Sequence, residues 1–355
     1  MNTAALLSVL ETVKNTVDKR DVVPALQCVM FANDSAVTYN RSVGTKVTGV
    51  GNEIQGLIPF GKLYTFVKSV RAENVDVEEN TDTVLKLKAG RASVSISLLD
   101  KSMFPEFTVI NTIVNEQKEK FVVPPAGFLD GLRKCSMFSA VENFDSSGVY
   151  FSDKIVLSTD GKRISRMTLK TKIFPDTRQV VLSRDFILGL RGIPEIDSFY
   201  SDEANSIAIH TVDPETGKQV IVFGANMQVV FKIQANKFFP KAPELVEFPG
   251  SELVEGLKRI GDFSDEISEK KSVTIEFGDS LKLSYEGDTT EIKEYFNFGN
   301  TLYNKPFNVN PYHFVAMLNT CDMFSFCTEK TPLLYGASES EDNKFEVVIA
   351  IKDEK

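Results

Sequence analysis

Apolar residues recur along this chain with two periods, and their order divides it into three similar stretches. In residues 2–19, Leu6, Leu10, Val13 and Val17 stand at i, i+4, i+7 and i+11, the spacing of one helical face. Strand-like runs follow at 27–31 and 47–50. Ile58-Pro59-Phe60 then leads into 61–71, where Leu63, Phe66, Val67 and Val70 share a second helical face. Beyond it Leu85 and Leu87 alternate with lysines, Ala89-Gly90-Arg91 reads as a turn, and Val94, Ile96 and Leu98 alternate with serines. A period of two on both sides of a turn predicts a hairpin with one buried face.

The same order returns twice. Phe128, Leu132 and Cys135 mark a helix, the runs on either side of Thr159-Asp160-Gly161 predict a hairpin, and 180–182 lead into a helix with Ser183 as its cap and Phe186, Ile187 and Leu190 inward. Strands are expected at 206–211, 219–223 and 229–233, the first two flanking a loop at 213–217. After Pro249-Gly250, Leu253, Leu257 and Ile260 give a further helix, and 273–277 and 281–285 a hairpin. Phe307-Asn308-Val309 leads into a helix with Asn310 as N-cap and Pro311 at its first position, and 345–351 closes the chain as a strand. The fold class is therefore α+β, as three tandem units at 1–117, 118–247 and 248–355, each with two helices and antiparallel strands. Short linkers at 115–120 and 239–250 predict domains held rigidly. Repetition of a whole domain, unlike a short solenoid period, suggests a closed symmetric object.

Length and composition agree with this. The 355 residues suffice for two or three cores, and 42% hydrophobic with 25% charged residues is the balance of a globular protein. No apolar run reaches the roughly 18 residues of a membrane span, and MNTAALLSVLETV lacks the basic start of a signal peptide, so a cytoplasmic protein with no membrane partner is expected. The net charge of −9 divides as −1, +1 and −9 over the three units. The helices nevertheless lean basic, with Lys14, Arg20, Lys68, Arg71, Arg133, Lys134, Lys258 and Arg259 on them or just past their ends. A solvated helix face accounts for any one of these residues; six helices biased together point to a shared surface facing phosphate, with no base-edge reader required.

Motifs for chemistry are lacking. Gly61-Lys62 and Gly161-Lys162 belong to no GxxxxGK[ST] pattern, and no GxSxG or HExxH occurs. Cys28, Cys135, Cys321 and Cys327 have no CxxC spacing and only His210 and His313 could join them, so buried free thiols are expected, with no metal and no cofactor. Asp160 beside Lys162 and Arg163 reads as a surface turn, and the carboxylates of 73–79 as a solvated loop. Nothing here asks for an enzyme.

Three stretches resemble the DNA polymerase III beta subunit, the bacterial-type sliding clamp, in a divergent version of bacterial or phage origin. Residues 85–104, running on through Met103-Phe104-Pro105-Glu106-Phe107, are similar to the end of the first clamp domain. VLSTDGKRI at 156–164 is similar to the second-domain signature, and FNVNPYHFVAML at 307–318 with 347–351 is similar to the third domain. The resemblance implies a head-to-tail homodimer whose six domains form a ring, with helices lining a hole for duplex DNA and strands outside. It implies partners as well: a replicative DNA polymerase, a clamp loader and other proteins bearing a clamp-binding peptide, met in the cytoplasm at the nucleoid or in a phage host. A non-encircling scaffold or decoy that captures the same peptides is the alternative.

By the same resemblance Arg20 falls on a DNA-contacting arginine loop and Lys68 on another basic position of the lining. The peptide pocket maps onto Thr159, Gly161, Lys162, Arg163, Ile164, Pro240, Leu245, Val347, Ile349, Ala350 and Ile351, and the dimer joint onto Val94 and Ile96 with Ile260 near its partner strand. There are departures: Ile349-Ala350-Ile351-Lys352 replaces the usual Met-Pro-Met-Arg, Glu244 stands where arginine is common, and 142–147 is shortened and lacks tyrosine. Stiff isoleucine in place of flexible methionine predicts a different choice of peptide.

Overall fold

The computed structural model describes all residues except 21, 106–120, 141–147, 175–177, 203–205, 214–215, 228–236, 242, 249, 264–270, 288–289, 299–304, 328–331 and 354–355. The expected linker at 115–120, the strand at 229–233 and the shortened loop at 142–147 lie outside the described residues. The first stretch holds helix α1 (Thr3–Val13), strands β1 (Cys28–Ala32), β2 (Ser35–Tyr39), β3 (Val43–Thr48) and β4 (Gly56–Pro59), helix α2 (Phe60–Ser69), and strands β5 (Asp76–Asn80), β6 (Val84–Ala89) and β7 (Ala92–Ser97). The second holds α3 (Phe128–Ser136), β8 (Val149–Ser152), β9 (Ile155–Thr159), β10 (Arg163–Leu169), β11 (Val180–Leu182), α4 (Arg184–Gly189), β12 (Ser198–Ser201), β13 (Ser206–Val212) and β14 (Gln219–Ala225). The third holds β15 (Val246–Glu247), α5 (Gly250–Phe263), β16 (Val273–Phe277), β17 (Leu281–Glu286), β18 (Glu291–Phe296), β19 (Phe307–Val309), α6 (Pro311–Leu318), β20 (Met323–Cys327), β21 (Leu333–Glu339), β22 (Asn343–Ala350) and β23 (Lys352–Asp353).

Local chemistry sets the helix ends. Asn2 Oδ1 accepts from the Ala5 N–H, Ser183 Oγ from Phe186, and Asn310 Oδ1 from both Tyr312 and His313, with Pro311 in the first turn as expected. Helix α1 ends at Val13, short of the expected 19. Thr16 donates its hydroxyl to the Val13 carbonyl at 3.2 Å and shares a hydrogen bond with the Thr38 hydroxyl at 2.7 Å, so a side chain takes the backbone's place and the chain leaves through the short turn Lys14–Thr16.

The chain forms two compact units, Met1–Pro124 with Val180–Gln228 and Pro125–Gln179 with Val229–Lys355, so the second stretch divides between them. Sheet pairing is the cause. In unit 1 the strand order is β12–β13–β14–β3–β2–β1–β4, antiparallel throughout, and β14 joins β3 from Val220↔Val47 to Gly224↔Val43. In unit 2 the order runs β8–β9–β10–β22–β21–β20–β15, and β10 joins β22 from Arg163↔Ile349 to Leu169↔Asn343. Each sheet thus combines the first half of one stretch with the second half of the next. Two smaller sheets remain: β5–β6–β7 in unit 1 and β18–β17–β16–β19–β23 in unit 2.

Helices cover one face of each large sheet. In unit 1, α1 and α4 pack on β3, and in unit 2, α3 packs on β9 and β10 while α6 packs on β22. Leu10, Val13, Leu132, Phe314 and Met317 are fully or almost fully buried there. The opposite faces carry apolar clusters of their own, and the one in unit 2 includes Ile164 of the candidate site.

Candidate functional site

The expected turn is built as its residue types require. Asp160 Oδ1 accepts from the Lys162 and Arg163 N–H groups at 2.9 and 2.8 Å, and its Oδ2 binds the Arg163 guanidinium at 2.7 Å. Gly161 has φ +86°, left-handed backbone that glycine adopts without cost. The Ala350 N–H donates to the Lys162 carbonyl at 3.0 Å, so the last long strand is pinned to the turn. Arg163 lies over the Phe138 ring at 5.3 Å. His313, on α6, sits within reach of the same charges. Burial first, then Arg163, outweigh the pull of Asp160 and push its pKa down to about 4 from 6.5, with Lys162 adding to the shift.

That shift has a sign for stability. Between pH 6.5 and 4 the unfolded chain takes up a proton that the folded chain refuses, so stability is full above this window and falls as pH drops through it. Melting curves of the wild type should lose stability across this range more steeply than those of His313→Gln; parallel losses would refute the assignment.

The pleat then sorts the candidate pocket residues by face. Residues paired across strands point to the same side, and Thr159↔Ile164↔Val348↔Tyr335 is one such row. It belongs to the face away from the helices, where Leu157, Tyr335, Ala337, Val348 and Phe239 form a buried cluster with Ile164, Tyr150 and Leu333 packed around it. Val347 and Ile349 alternate with Val348, so they turn to the helix side, at 0% and 1% exposure. Ile351 is also buried, whereas Ala350, Gly161 and Lys162 are exposed. Pro240 follows Phe239 at the edge of the cluster, and Leu245, 38% exposed, stands just before β15 at the end of the same run of strands.

Sequence reasoning missed the residues beneath this face. Arg166 on β10 binds Glu346 on β22 through Nε at 3.0 Å and its terminal nitrogen at 2.6 Å, and the Tyr335 hydroxyl on β21 donates to the same carboxylate at 2.9 Å. Glu346 is only 3% exposed, and the Arg166 guanidinium lies 4.0 Å from the centre of the Phe239 ring. Arg166 and Glu346 stand 180 residues apart, so only knowledge of the strand register could have paired them.

The candidate DNA-facing residues vary in setting. In unit 1, Lys68 and Arg71 are exposed, Lys68 lying over the Tyr64 ring at 5.3 Å; Lys14 is half-buried and paired with Glu11. Arg20 is exposed and braced by the buried Asp18, Nε to Oδ1 at 3.0 Å, and by the Asn40 carbonyl at 3.1 Å. Arg41 also binds Asp18, at 3.1 Å. In unit 2, Lys258 and Arg259 are exposed, Arg259 forming a two-point pair with Glu294 at 3.0 and 2.9 Å. Lys134 pairs with Asp130 at 3.0 Å, and burial lowers the pKa of Arg133. Of the candidate joint residues, Val94 is half-buried while Ile96 and Ile260 lie in the core at 0% and 1% exposure.

Cys28, Cys135 and Cys321 are buried free thiols and Cys327 a half-buried one. Burial pushes the pKa of Cys28 up to about 11 and those of Cys135 and Cys321 up to about 12. Among the described residues no group of three or more His, Cys, Asp or Glu could hold a metal ion, and no helix is long and apolar enough to cross a membrane.

Comparison with known proteins assigns the fold to one class. The Helicobacter pylori beta clamp bound to a DNA ligase peptide superposes with a TM-score of 0.71 at 16% identity, covering 99% of this chain and 98% of that one. The DNA polymerase III beta chain of Streptococcus pneumoniae gives 0.73 at 14%, and that of Thermotoga maritima 0.73 at 16%, with the same coverage. The chain therefore has the sliding-clamp fold of DNA polymerase III beta subunits from end to end. No protein-family model matches the sequence, and no curated protein does.

Proposed function

We propose that this protein is a sliding clamp, a non-enzymatic processivity factor that closes around duplex DNA as a head-to-tail dimer and tethers replication proteins to it. The observation that carries the reading is the half-stretch offset of the sheets. In unit 1 the meander β12–β13–β14 continues into β3, and in unit 2 β20–β21–β22 continues into β10. The same meander in the first stretch is β5–β6–β7, and the same receiving edge in the third is β18. Among the described residues β7 pairs only with β6, and β18 only with β17. By the rule followed in both units, β7 of one copy joins β18 of a second copy, and a two-fold axis repeats the joint and closes the ring. Three clamp domains at 1–117, 118–247 and 248–355 fit this reading, since each then supplies half of two sheets.

Basic residues on the helices or just past their ends, Arg20, Lys68, Arg71 and Lys258 above all, would meet phosphate without reading sequence, and topology rather than affinity would hold the ring in place. The open sheet face of unit 2 would take a short apolar peptide from a polymerase, a clamp loader or another replication protein in the cytoplasm. The ligase peptide on the Helicobacter pylori neighbour supports that use.

Light scattering is expected to give a dimer. Once loaded on nicked circular DNA the protein should stay bound for many minutes and be lost within seconds after the circle is cut. Equal retention on both DNAs, or a strict monomer, would overturn encirclement and favour a non-encircling scaffold that uses the same peptide face.

A further inference from the structure

The turn at Thr159–Arg163 has a counterpart in unit 1, between β2 and β3. Asn40 Oδ1 accepts from the Ser42 and Val43 N–H groups at 3.1 and 2.9 Å, as Asp160 does from Lys162 and Arg163. Each turn closes with the N–H of its first residue on the carbonyl of its fourth, Asn40 on Val43 and Asp160 on Arg163. The second position differs. Where unit 2 has Gly161 at φ +86°, unit 1 has Arg41 at φ +81°. Left-handed backbone costs a residue with a side chain free energy that it does not cost glycine, and such outliers persist where their surroundings fix them. Here the Tyr39 hydroxyl donates to the Arg41 carbonyl at 2.6 Å, and Arg20 donates to the Asn40 carbonyl at 3.1 Å.

The strained residue puts a second guanidinium on one carboxylate. Arg41 Nε lies 3.1 Å from Asp18 Oδ2; the Asp18 side chain is 2% exposed, those of Arg20 and Arg41 60% and 37%. Asp18 has no need of this second cation, since Arg20 already gives it a backbone N–H at 2.9 Å, Nε at 3.0 Å and a terminal nitrogen at 3.4 Å. Asp185 also draws on Arg20, but Lys19 and Lys62, which line a cleft of about 540 Å³ reaching Asp18, outweigh it. The result is a buried carboxylate beneath two outward arginines on a basic surface. Arginine's planar fork of donors matches phosphate oxygens.

We propose that Arg41 joins Arg20 as a two-arginine contact for a backbone phosphate of duplex DNA, with the buried Asp18 as the positioning residue that holds the two guanidiniums side by side. The inference rests on the DNA-clamp reading, and of these three residues the resemblance had marked Arg20 alone. It makes opposite predictions from bulk electrostatics. A carboxylate that merely lowered the local charge would hinder DNA, so its removal would tighten binding; one that sets the geometry of the pair is needed for binding, although the protein becomes more basic without it.

Fluorescence anisotropy of a labelled linear duplex of mixed sequence, titrated with the full-length protein at a series of salt concentrations, tests this. Arg41→Gly copies the unit 2 turn and relieves the left-handed strain, so it should melt cooperatively. It should lower the slope of log affinity against log salt by about 0.9, the share of one phosphate contact, and weaken binding about tenfold at roughly 50 mM salt. Asp18→Asn should also bind the duplex more weakly than the wild type. An unchanged slope for Arg41→Gly overturns the proposal, whatever its melting temperature, because a purely structural arginine leaves the phosphate count alone. Tighter binding by Asp18→Asn overturns the positioning role, and if that variant does not fold, Arg41→Gly decides. A wild type without salt-dependent affinity for the duplex overturns the DNA reading itself, and this proposal with it.

Discussion

Replacing Ile164 and Leu245 together by aspartate is expected to weaken binding of a partner peptide at least 100-fold while leaving a cooperatively folded dimer. Both side chains are part-exposed, one in the floor and one at the rim of the open face in unit 2. Losing two aliphatic contacts removes about 1.5–3 kcal/mol each, and a carboxylate facing an apolar anchor adds a desolvation cost. Each 1.4 kcal/mol is a tenfold change in Kd, so about 3 kcal/mol already corresponds to roughly two decades. The buried isoleucine of the terminal strand makes a poorer target. Ile349 lies on the helix side at 1% exposure, so Ile349→Asp is expected to unfold unit 2 and would report stability in place of docking. Fluorescence anisotropy with a labelled peptide measures the first effect, and circular dichroism melting separates it from the second. Undiminished binding by the Ile164/Leu245 variant would move the docking site elsewhere.

Arg166→Leu is expected to destabilise the protein by about 3 kcal/mol, because it leaves the buried Glu346 carboxylate, only 3% exposed, without its main partner. Tyr335 and Lys344, at 2.9 and 3.3 Å, remain as partial partners, which keeps the loss near the lower end for a broken buried pair. Combining Arg166→Leu with Glu346→Leu should recover most of the loss, since removing both charges leaves no orphan. The double variant should still fold but hold Phe239 less firmly, because the guanidinium on which that ring stacks at 4.0 Å is gone. Chemical denaturation of the two single variants and the double variant measures the coupling. Equal destabilisation by the single and double variants would mean that the pair is not what ties β10 to β22.

What the sequence made legible follows from distance along the chain. Helix starts at Ser183 and Asn310 and hairpins such as 85–96 and 155–169 are local, and the period of apolar residues declares them. The turn at Thr159–Arg163 was legible for the same reason. The resemblance proposed the pocket residues but not their faces. Val347, Ile349 and Ile164 are all aliphatic, and only the register Ile164↔Val348 tells which of them are turned away from the helices. The resemblance placed the joint on Val94 and Ile96, which lie on edge strand β7, with Ile260 near the partner strand; the structure puts Ile96 and Ile260 in the core, and β18 became visible as the other edge only once the two composite sheets had shown how such edges are completed.

The half-stretch offset of the sheets also bears on how the chain must be made. On the ribosome β3 emerges with one edge bare and waits through about 170 residues before β14 can cover it; β10 waits about 180 for β22. Contacts closed over such separations form late and slowly, and a bare strand edge is a template for pairing with the wrong chain. Among the described residues the outer edges of β7 and β18 stay unpaired after synthesis is complete, and in the proposed dimer a second copy would supply them. A chain knitted in this way has no early point at which one stretch can be released folded and finished, and if the proposed dimer forms, its maturation would depend on how many copies are made near one another.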